Sequence, residues 1–385
     1  HTMINKSERE QIIALINREV VPAIGCTEPI AVALCVAKAT ETLGCKPEKI
    51  QALLSANILK NAMGVGIPGT GMIGLPIAIA LGALIGKSEY QLEVLKDSTP
   101  EAVEEGKKLI DAQAINIGLK YGIEEKLYIE IICEAEGKKA TAIISGGHTH
   151  FVYVARGEEV LVNKQTSASN DASTEDVELT LRKVYDFAME SPIDELKFIL
   201  ETRNLNKKAA ERSFQGNYGH QLGKTLNSKK NENLMMGDNT FTHILSYTSA
   251  ACDARMAGAM IPVMSNSGSG NQGITATLPV VVYAEDNHKS EEELTRALAL
   301  SHLTVIYIKQ SLGRLSALCG CVVAATGSSC GITYLMGGNY EQVTYAVKNM
   351  IANITGMICD GAKPSCALKL TSGVSTAVLS AILAM

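Results

Sequence analysis

The chain has 385 residues, of which 46% are hydrophobic and 19% charged, with 33 Gly, no Trp and a formal net charge of −5. That length is enough for two or three apolar cores. The scattered Lys and Arg show none of the basic striping that a nucleic-acid binder needs, so small molecules are the expected partners.

The start His1-Thr2-Met3 reads as a short extension ahead of a natural Met, and the charged amphipathic segment after it is not a signal peptide. A cytoplasmic location is therefore expected. In that reducing compartment the ten Cys are more useful as metal ligands or catalytic thiols than as disulfides, with burial as free thiols the default for the others.

Ile12, Ile13, Leu15 and Ile16 recur at helical spacing within residues 8–18, and residues 28–43 repeat the pattern with an Ala-rich face. Both predict helices. Lys46-Pro47-Glu48 predicts a third, with Pro at a first helical position and Ile50, Leu53, Leu54 and Ile58 following. Residues 62–86 carry no charge and are long enough to span a bilayer. Pro68, Pro76 and the run Gly64-Val65-Gly66-Ile67-Pro68-Gly69-Thr70-Gly71 would leave backbone groups unpaired in lipid, so a glycine-rich loop and a buried core helix are expected there, and no membrane partner. Ser98-Thr99-Pro100-Glu101 has the spacing of a capping box and predicts another helix.

From about Ala114 the period becomes two. Residues 127–134, 139–144, 151–155 and 160–163 predict strands, with turns at Glu136-Gly137 and Arg156-Gly157. Polar residues 164–175 and 224–233 read as mobile connections around a helical stretch. From Thr248 onward Ala, Gly, Met and Ile dominate, as in helices buried on most sides. The expected fold is α+β and mainly helical: closely packed Ala/Gly-rich helices with a small inserted antiparallel sheet. Its expected parts are residues 3–113 (helical), 114–235 (an α/β insert) and 236–385 (a helical domain). A faint repeat lays Cys26, Gly44, Glu48 and Ile50 over Cys319, Gly337, Glu341 and Val343 at one offset, and Pro68 over Pro364 after a small insertion. If the two halves are related, Cys26 lies near the C-terminal thiols.

Cys359 and Cys366 are separated by six residues of turn-forming sequence and preceded by Cys319, Cys321 and Cys330. Gly361 and Pro364 let the backbone fold back, so the two thiols can converge on one metal centre. No paired C-x-x-C set is present, which disfavours zinc, and three thiolates without a fourth would leave one iron open to substrate. Cys26, between Gly25 and Thr27-Glu28-Pro29, stands at a helix start where N–H groups and the macrodipole favour a thiolate able to act as a base. Residues 266–273, with Asn266, Ser267, Asn271 and Gln272, offer donors on a Gly-rich backbone suited to a substrate carboxylate, and they lack the P-loop pattern. His148 and His150 would face opposite ways by the strand period, and His148 is the one preferred for a site.

The segment GGNYEQVTYAVKNMIANITGMICDGAKPSC (residues 337–366) resembles the cluster-binding end of the iron–sulfur L-serine dehydratase α domain, and SNSGSGNQGITATLPVVVYAED (residues 265–286) resembles that family's TAPTNGA segment. GCTEP at residues 25–29, DARMAGA at 253–259 and LCGC at 318–321 look more like the L-cysteine desulfidase family, over essentially the whole chain. That resemblance implies a [4Fe-4S] cluster with one open iron, held by Cys319, Cys359 and Cys366, with Cys321 the substitute for the first ligand. It implies no PLP and a catalytic Cys26. Two features depart from the dehydratases: Met385 stands where they have a C-terminal Cys, and their second domain is not recognisable.

The implied reaction is β-elimination of L-cysteine to sulfide, pyruvate and ammonia. Cys26 would take the proton, and Asn266 and Asn271 would hold carboxylate and amine beside Ser267, Gln272 and His148. A homodimer is compatible with this reading. The alternatives are the same chemistry on L-serine, a non-catalytic iron–sulfur redox sensor and, against the interrupted apolar stretch, a membrane carrier.

Overall fold

The computed structural model describes residues 3–165, 177–228, 236–312, 319–354, 356–359 and 361–385. Helix α1 (Lys6–Glu19) starts at Asn5, whose side chain accepts the Glu8 N–H, and buries Ile12, Leu15 and Ile16. Strand β1 (Pro22–Ile24) leads into α2 (Thr27–Leu43), which is buried on nearly every side. The Ala-rich face predicted for α2 explains how: a Cβ on Gly82 would stand 2.6 Å from the Ala33 carbonyl oxygen, so α4 (Leu75–Leu84) approaches α2 at backbone distance.

The third predicted helix is corrected. Residues 49–54 form β2 (Lys49–Leu54), where Ile50, Ala52 and Leu54 are buried while Lys49 and Gln51 are exposed. Helix α3 (Ala56–Ala62) begins only after Ser55. The uncharged stretch 62–86 is a loop followed by the buried ten-residue α4. A different segment, Cys366–Ala384, is the one described helix long and apolar enough to cross a membrane by length and composition. The predicted helix after Ser98 is α5 (Pro100–Asp111), and its cap is Thr99, which accepts the Ala102 N–H.

Strands β2, β3 (Ile115–Leu119), β4 (Tyr128–Ala135), β5 (Lys138–Ser145), β6 (Phe151–Arg156) and β7 (Glu159–Asn163) form one sheet in the order β3-β2-β4-β5-β6-β7. The hairpins are those predicted: Glu136 and Gly137 both take positive φ, which matches a two-residue turn between twisted strands. The sheet is mixed, because β2 and β3 run parallel, and its β2 comes from ahead of the predicted insert. One face packs on α2, where the Cys35 thiol donates to the Ala142 carbonyl at 3.3 Å.

After the sheet come α6 (Leu181–Glu190), the single turn α7 (Ile193–Leu196), α8 (Leu200–Phe214) and α9 (Leu222–Ser228). Residues 224–228, expected in a mobile connection, are thus helical. Residues 166–175 and 229–233 of the two predicted connections lie outside the described residues. The C-terminal half packs α10 (Thr240–Met256), α11 (Gly270–Asp286), α12 (Glu291–Leu312), α13 (Gly320–Leu335), α14 (Tyr340–Ile354) and α15 (Cys366–Ala384), with β8 (Pro262–Met264) between α10 and α11. Small residues let α13 sit at the centre: Cβ atoms on Gly327 and Gly331 would meet the Ser301 and Ala297 carbonyl oxygens of α12 at 2.4 and 3.1 Å.

The faint repeat has a structural counterpart over one helix. Cys26 and Cys319 are the residues just before α2 and α13, and Gly44 and Gly337 close those helices in left-handed conformation. Beyond these glycines the halves part, since β2 follows the first and α14 the second.

Candidate functional site

The two-stranded sheet sets the site. Strand β1 pairs antiparallel with β8, and each then runs into a helix start, β1 through Gly25-Cys26 into α2 and β8 through residues 265–269 into α11. The Ser265 and Ser267 N–H groups donate back to the Val21 and Glu19 carbonyls at 2.8 and 2.9 Å, which fixes the two loops side by side. At the next junction Gln272, in the first turn of α11, lies across Gly320, the first residue of α13: a Cβ there would be 2.3 Å from Gln272 Nε2. Helix α15 packs along α13 with Gly373 facing the Cys321 carbonyl, and it begins at Cys366. The N-termini of α2, α11, α13 and α15 thus gather in one region. Each carries partial positive charge and first-turn N–H groups that have no carbonyl partner within the helix.

Thiols occupy those ends. Cys319 precedes α13, and its thiol is pulled down to about 6, first because Cys321 donates to it and then because the Cys321 and Val322 N–H groups point at it, with Lys369 adding positive charge against burial. Cys321 is pushed up in turn by that hydrogen bond and by burial. Cys359 lies on residues 356–359, held to α13 by the Cys319 N–H on the Met357 carbonyl at 3.1 Å. Cys366 opens α15, and burial is the main influence raising its thiol. Lys369 donates to the Ile358 carbonyl at 3.3 Å, and the partly buried Lys309 is held below the usual ammonium range by burial, with Cys319, Cys321 and Cys359 opposing. A cationic wall therefore faces the cysteines.

These residues fit an iron–sulfur cluster by their chemistry. Among the described residues no three His, Cys, Asp or Glu stand close enough to hold a single ion. A four-iron cluster does not ask that of them, because each thiolate binds a different iron. Helix N-termini, Lys309 and Lys369 favour the thiolate form a cluster requires, and Gln272 Oε1 is buried here without a hydrogen-bond partner. Met385, the residue matched to the dehydratases' last Cys, packs on Gly338 at the opposite end of α13 from Cys319.

Cys26 is fully buried, with its S–H directed at the Met256 sulfur at 3.6 Å. The expected thiolate is corrected: burial pushes the thiol up to about 11, against the pull of Arg255, with Glu28 and Cys366 adding to the rise. Desolvation outweighs the helix end. Cys252 is a second fully buried thiol, donating to Asn271 Oδ1 at 3.4 Å.

The predicted polar residues divide. Asn271 and Gln272 reach the thiol region. Asn266 is corrected as a direct substrate contact: its Nδ2 donates to His302 Nδ1 at 3.0 Å and to the His302 carbonyl at 3.1 Å, while its Oδ1 accepts from Ser267 at 2.7 Å. This geometry makes His302 Nδ1 an acceptor and Nε2 the protonated nitrogen, which donates to Thr277 at 2.8 Å. Burial holds that imidazole neutral, pushing it down to about 3. Ser267 takes φ 51 and shapes the loop beside it.

His148 does approach the site, though for another reason than strand alternation, since both His148 and His150 lie in the turn between β5 and β6. The His148 ring lies over Gly268, where a Cβ would be 2.7 Å from Nδ1, and its Nε2 stands 3.4 Å from Glu28 Oε1. Burial pushes the Glu28 carboxyl up, but the hydrogen bond and charge of His148, followed by Arg255, hold it below the usual range. His150 instead makes an exposed 2.9 Å bond to the Ser145 carbonyl.

Arg255, Met256, Cys252 and Glu28 escaped the sequence reading as site residues. Arg255 and Met256 lie in the segment DARMAGA and Glu28 in GCTEP, while Cys252 immediately precedes DARMAGA and carries no such sign. Arg255 is 6% exposed and bridges the halves, Nη1 to the Gly25 carbonyl at 2.7 Å and Nε to Asn271 Oδ1 at 3.0 Å.

The serine dehydratase alpha chain family matches residues 89–385. A UPF0597 protein of Phocaeicola vulgatus is 83% identical over all of this chain and 89% of its own length. UPF0597 proteins of Bacteroides fragilis and Bacteroides thetaiotaomicron are 79% and 75% identical, each over 99% of this chain and 89% of the relative. The chain belongs to the serine dehydratase alpha chain family, a lyase-type family associated with iron–sulfur serine dehydratases.

Proposed function

We propose that the protein is a cytoplasmic L-cysteine desulfidase that eliminates sulfide without PLP, using a [4Fe-4S] cluster held by Cys319, Cys359 and Cys366. The observation that carries the reading is the gathering of four helix N-termini, Lys309 and Lys369 around these thiols. Cys319 stands as the first ligand on the family resemblance, with Cys321, two residues on, as its substitute.

When bound, the cluster supplies an iron without a protein ligand, a Lewis acid that suits a sulfur leaving group. In the elimination the α-hydrogen leaves as a proton and sulfide departs with its bonding pair. The resulting aminoacrylate takes up water and releases ammonia, leaving pyruvate. Cys26 handles the proton, Gln272 Oε1 accepts from the substrate ammonium, and Asn271 borders the carboxylate side. His148 and Glu28, both partly exposed, connect this interior to solvent protons. Asn266 and Ser267 hold the loop in shape.

The family match favours a second substrate, L-serine, with hydroxyl in place of thiol as the leaving group. Anaerobic reconstitution with iron and sulfide, followed by sulfide and pyruvate assays on L-cysteine and L-serine side by side, decides between them. Pyruvate from L-serine at the higher kcat/KM makes the protein a serine dehydratase. Pyruvate from neither substrate by fully loaded protein removes the lyase reading.

A further inference from the structure

The elimination chemistry leaves one charged group without a task. Arg255 is buried at the end of α10 and is permanently protonated. Its hydrogen bonds go to two neutral oxygens, Asn271 Oδ1 and the Gly25 carbonyl, and among the described residues no carboxylate lies within ion-pair distance of it. Its Nη2 makes no hydrogen bond there either.

Burying a cation without an anion is costly, and the surroundings increase that cost, because the guanidinium stands at the positive ends of both α2 and α11. The site is nevertheless shaped for it. A Cβ on Gly270 would be 2.6 Å from Arg255 Nε, so only glycine lets the guanidinium lie over the start of α11. The nearby ionisable groups make no contact that neutralises it: burial keeps Cys26 and Cys252 as thiols, and Glu28, which meets His148, and Cys366 act on the guanidinium only beyond hydrogen-bond distance.

We infer that Arg255 is the specificity-determining residue of the site, gripping the free α-carboxylate of a small α-amino acid through Nη2 and the remaining Nη1 hydrogen, while Asn271 holds the guanidinium in place. A guanidinium fork matches a carboxylate with two parallel hydrogen bonds. Amines and esters that lack this carboxylate are refused. The inference rests on the reading of the substrate as an amino acid and is independent of which β-substituent leaves.

The test uses the full chain, loaded with iron anaerobically, and calorimetric titration with L-alanine, which has the carboxylate but no leaving group, and with ethylamine, which has no carboxylate. Wild type is expected to bind L-alanine more tightly than ethylamine. Arg255→Met is expected to weaken L-alanine at least about tenfold and leave ethylamine unchanged. Asn271→Asp, which places a carboxylate against Nε, is expected to raise the melting temperature, keep the iron and weaken L-alanine similarly. No L-alanine binding by wild type overturns the inference, as does wild-type affinity in folded Arg255→Met. Should Arg255→Met not fold, unchanged L-alanine affinity in Asn271→Asp overturns it. Arg255-dependent L-alanine binding without sulfide or pyruvate release from L-cysteine or L-serine rejects the lyase reading and leaves this one standing.

Discussion

Arg255 Nη1 donates to the Gly25 carbonyl at 2.7 Å, a single bond that joins positions 230 residues apart and sets Cys26 beside the C-terminal helix starts. Gly25 can serve because it takes φ +82 and because its missing Cβ leaves room for Pro68, whose Cγ would be 2.6 Å away. Gly25→Ala is expected to lower stability by about 1–3 kcal/mol through strain and clash, and to reduce activity more than the stability loss accounts for. Denaturant melts and kcat/KM at 25 °C check both effects.

Removal of each proposed ligand separates metal holding from packing. Cys319→Ala, Cys359→Ala and Cys366→Ala are each expected to lose most of the iron and the visible absorption of the anaerobic protein. Cys321→Ala is expected to keep the cluster, since the resemblance places the first ligand at Cys319. Iron analysis that finds the reverse pattern for Cys319 and Cys321 exchanges their roles.

Cys26→Ala is expected to keep its iron and lose at least about 100-fold in turnover, the usual scale of a proton-transfer group. The thiol stands near 11, so the thiolate fraction grows about tenfold per pH unit below that value. A base role therefore makes kcat/KM climb between pH 8 and 10 in the wild type (roughly tenfold per unit) and makes that climb vanish in Cys26→Ala. A flat wild-type profile over the same range counts against Cys26 as the base.

Asp253 yields a prediction independent of catalysis. Its carboxyl is 2% exposed and is pushed up to about 6 by burial, although the Gly223 N–H pulls the other way at 3.0 Å. The folded protein then holds a proton that the unfolded chain releases near its ordinary 3.8. Stability from this group is present in full below that lower value, falls as pH rises, and is lost above about pH 6, a change of about 3 kcal/mol. Asp253→Asn should gain stability at pH 8 relative to pH 4, as read by urea denaturation at both values. An equal response of both proteins to pH would show that the carboxyl is not desolvated.

The elements with long, clean periodicity were legible in the chain: α1, α2 and the hairpins of β4 to β7 follow local patterns and turn residues. Residues 46–58 were not, because Ile50, Leu53, Leu54 and Ile58 satisfy helical spacing by accident, while the partners that make Ile50, Ala52 and Leu54 a strand are β3 and β4, more than sixty positions later. The cysteines announced themselves by spacing and turn residues. Asn266 reads from the sequence as a free donor because its partner His302 lies 36 residues away. Arg255 was passed over for the opposite reason: a lone Arg in an Ala-rich helix reads as a solvent-facing charge, and its burial depends on Gly270 of another helix.

In the proposed function, thiols at helix starts would hold a cluster, and the protein so loaded would eliminate sulfide from L-cysteine. The measurement that tests it most directly is sulfide release per chain from anaerobically reconstituted protein, taken with iron content before and after brief exposure to air. Expected are about four irons per chain, PLP-independent sulfide release with matching pyruvate, rapid loss of both in air with conversion to a three-iron species, slower loss when L-cysteine is present, and recovery on adding iron, sulfide and reductant. Full L-cysteine-dependent sulfide release from air-exposed, iron-free protein would contradict it.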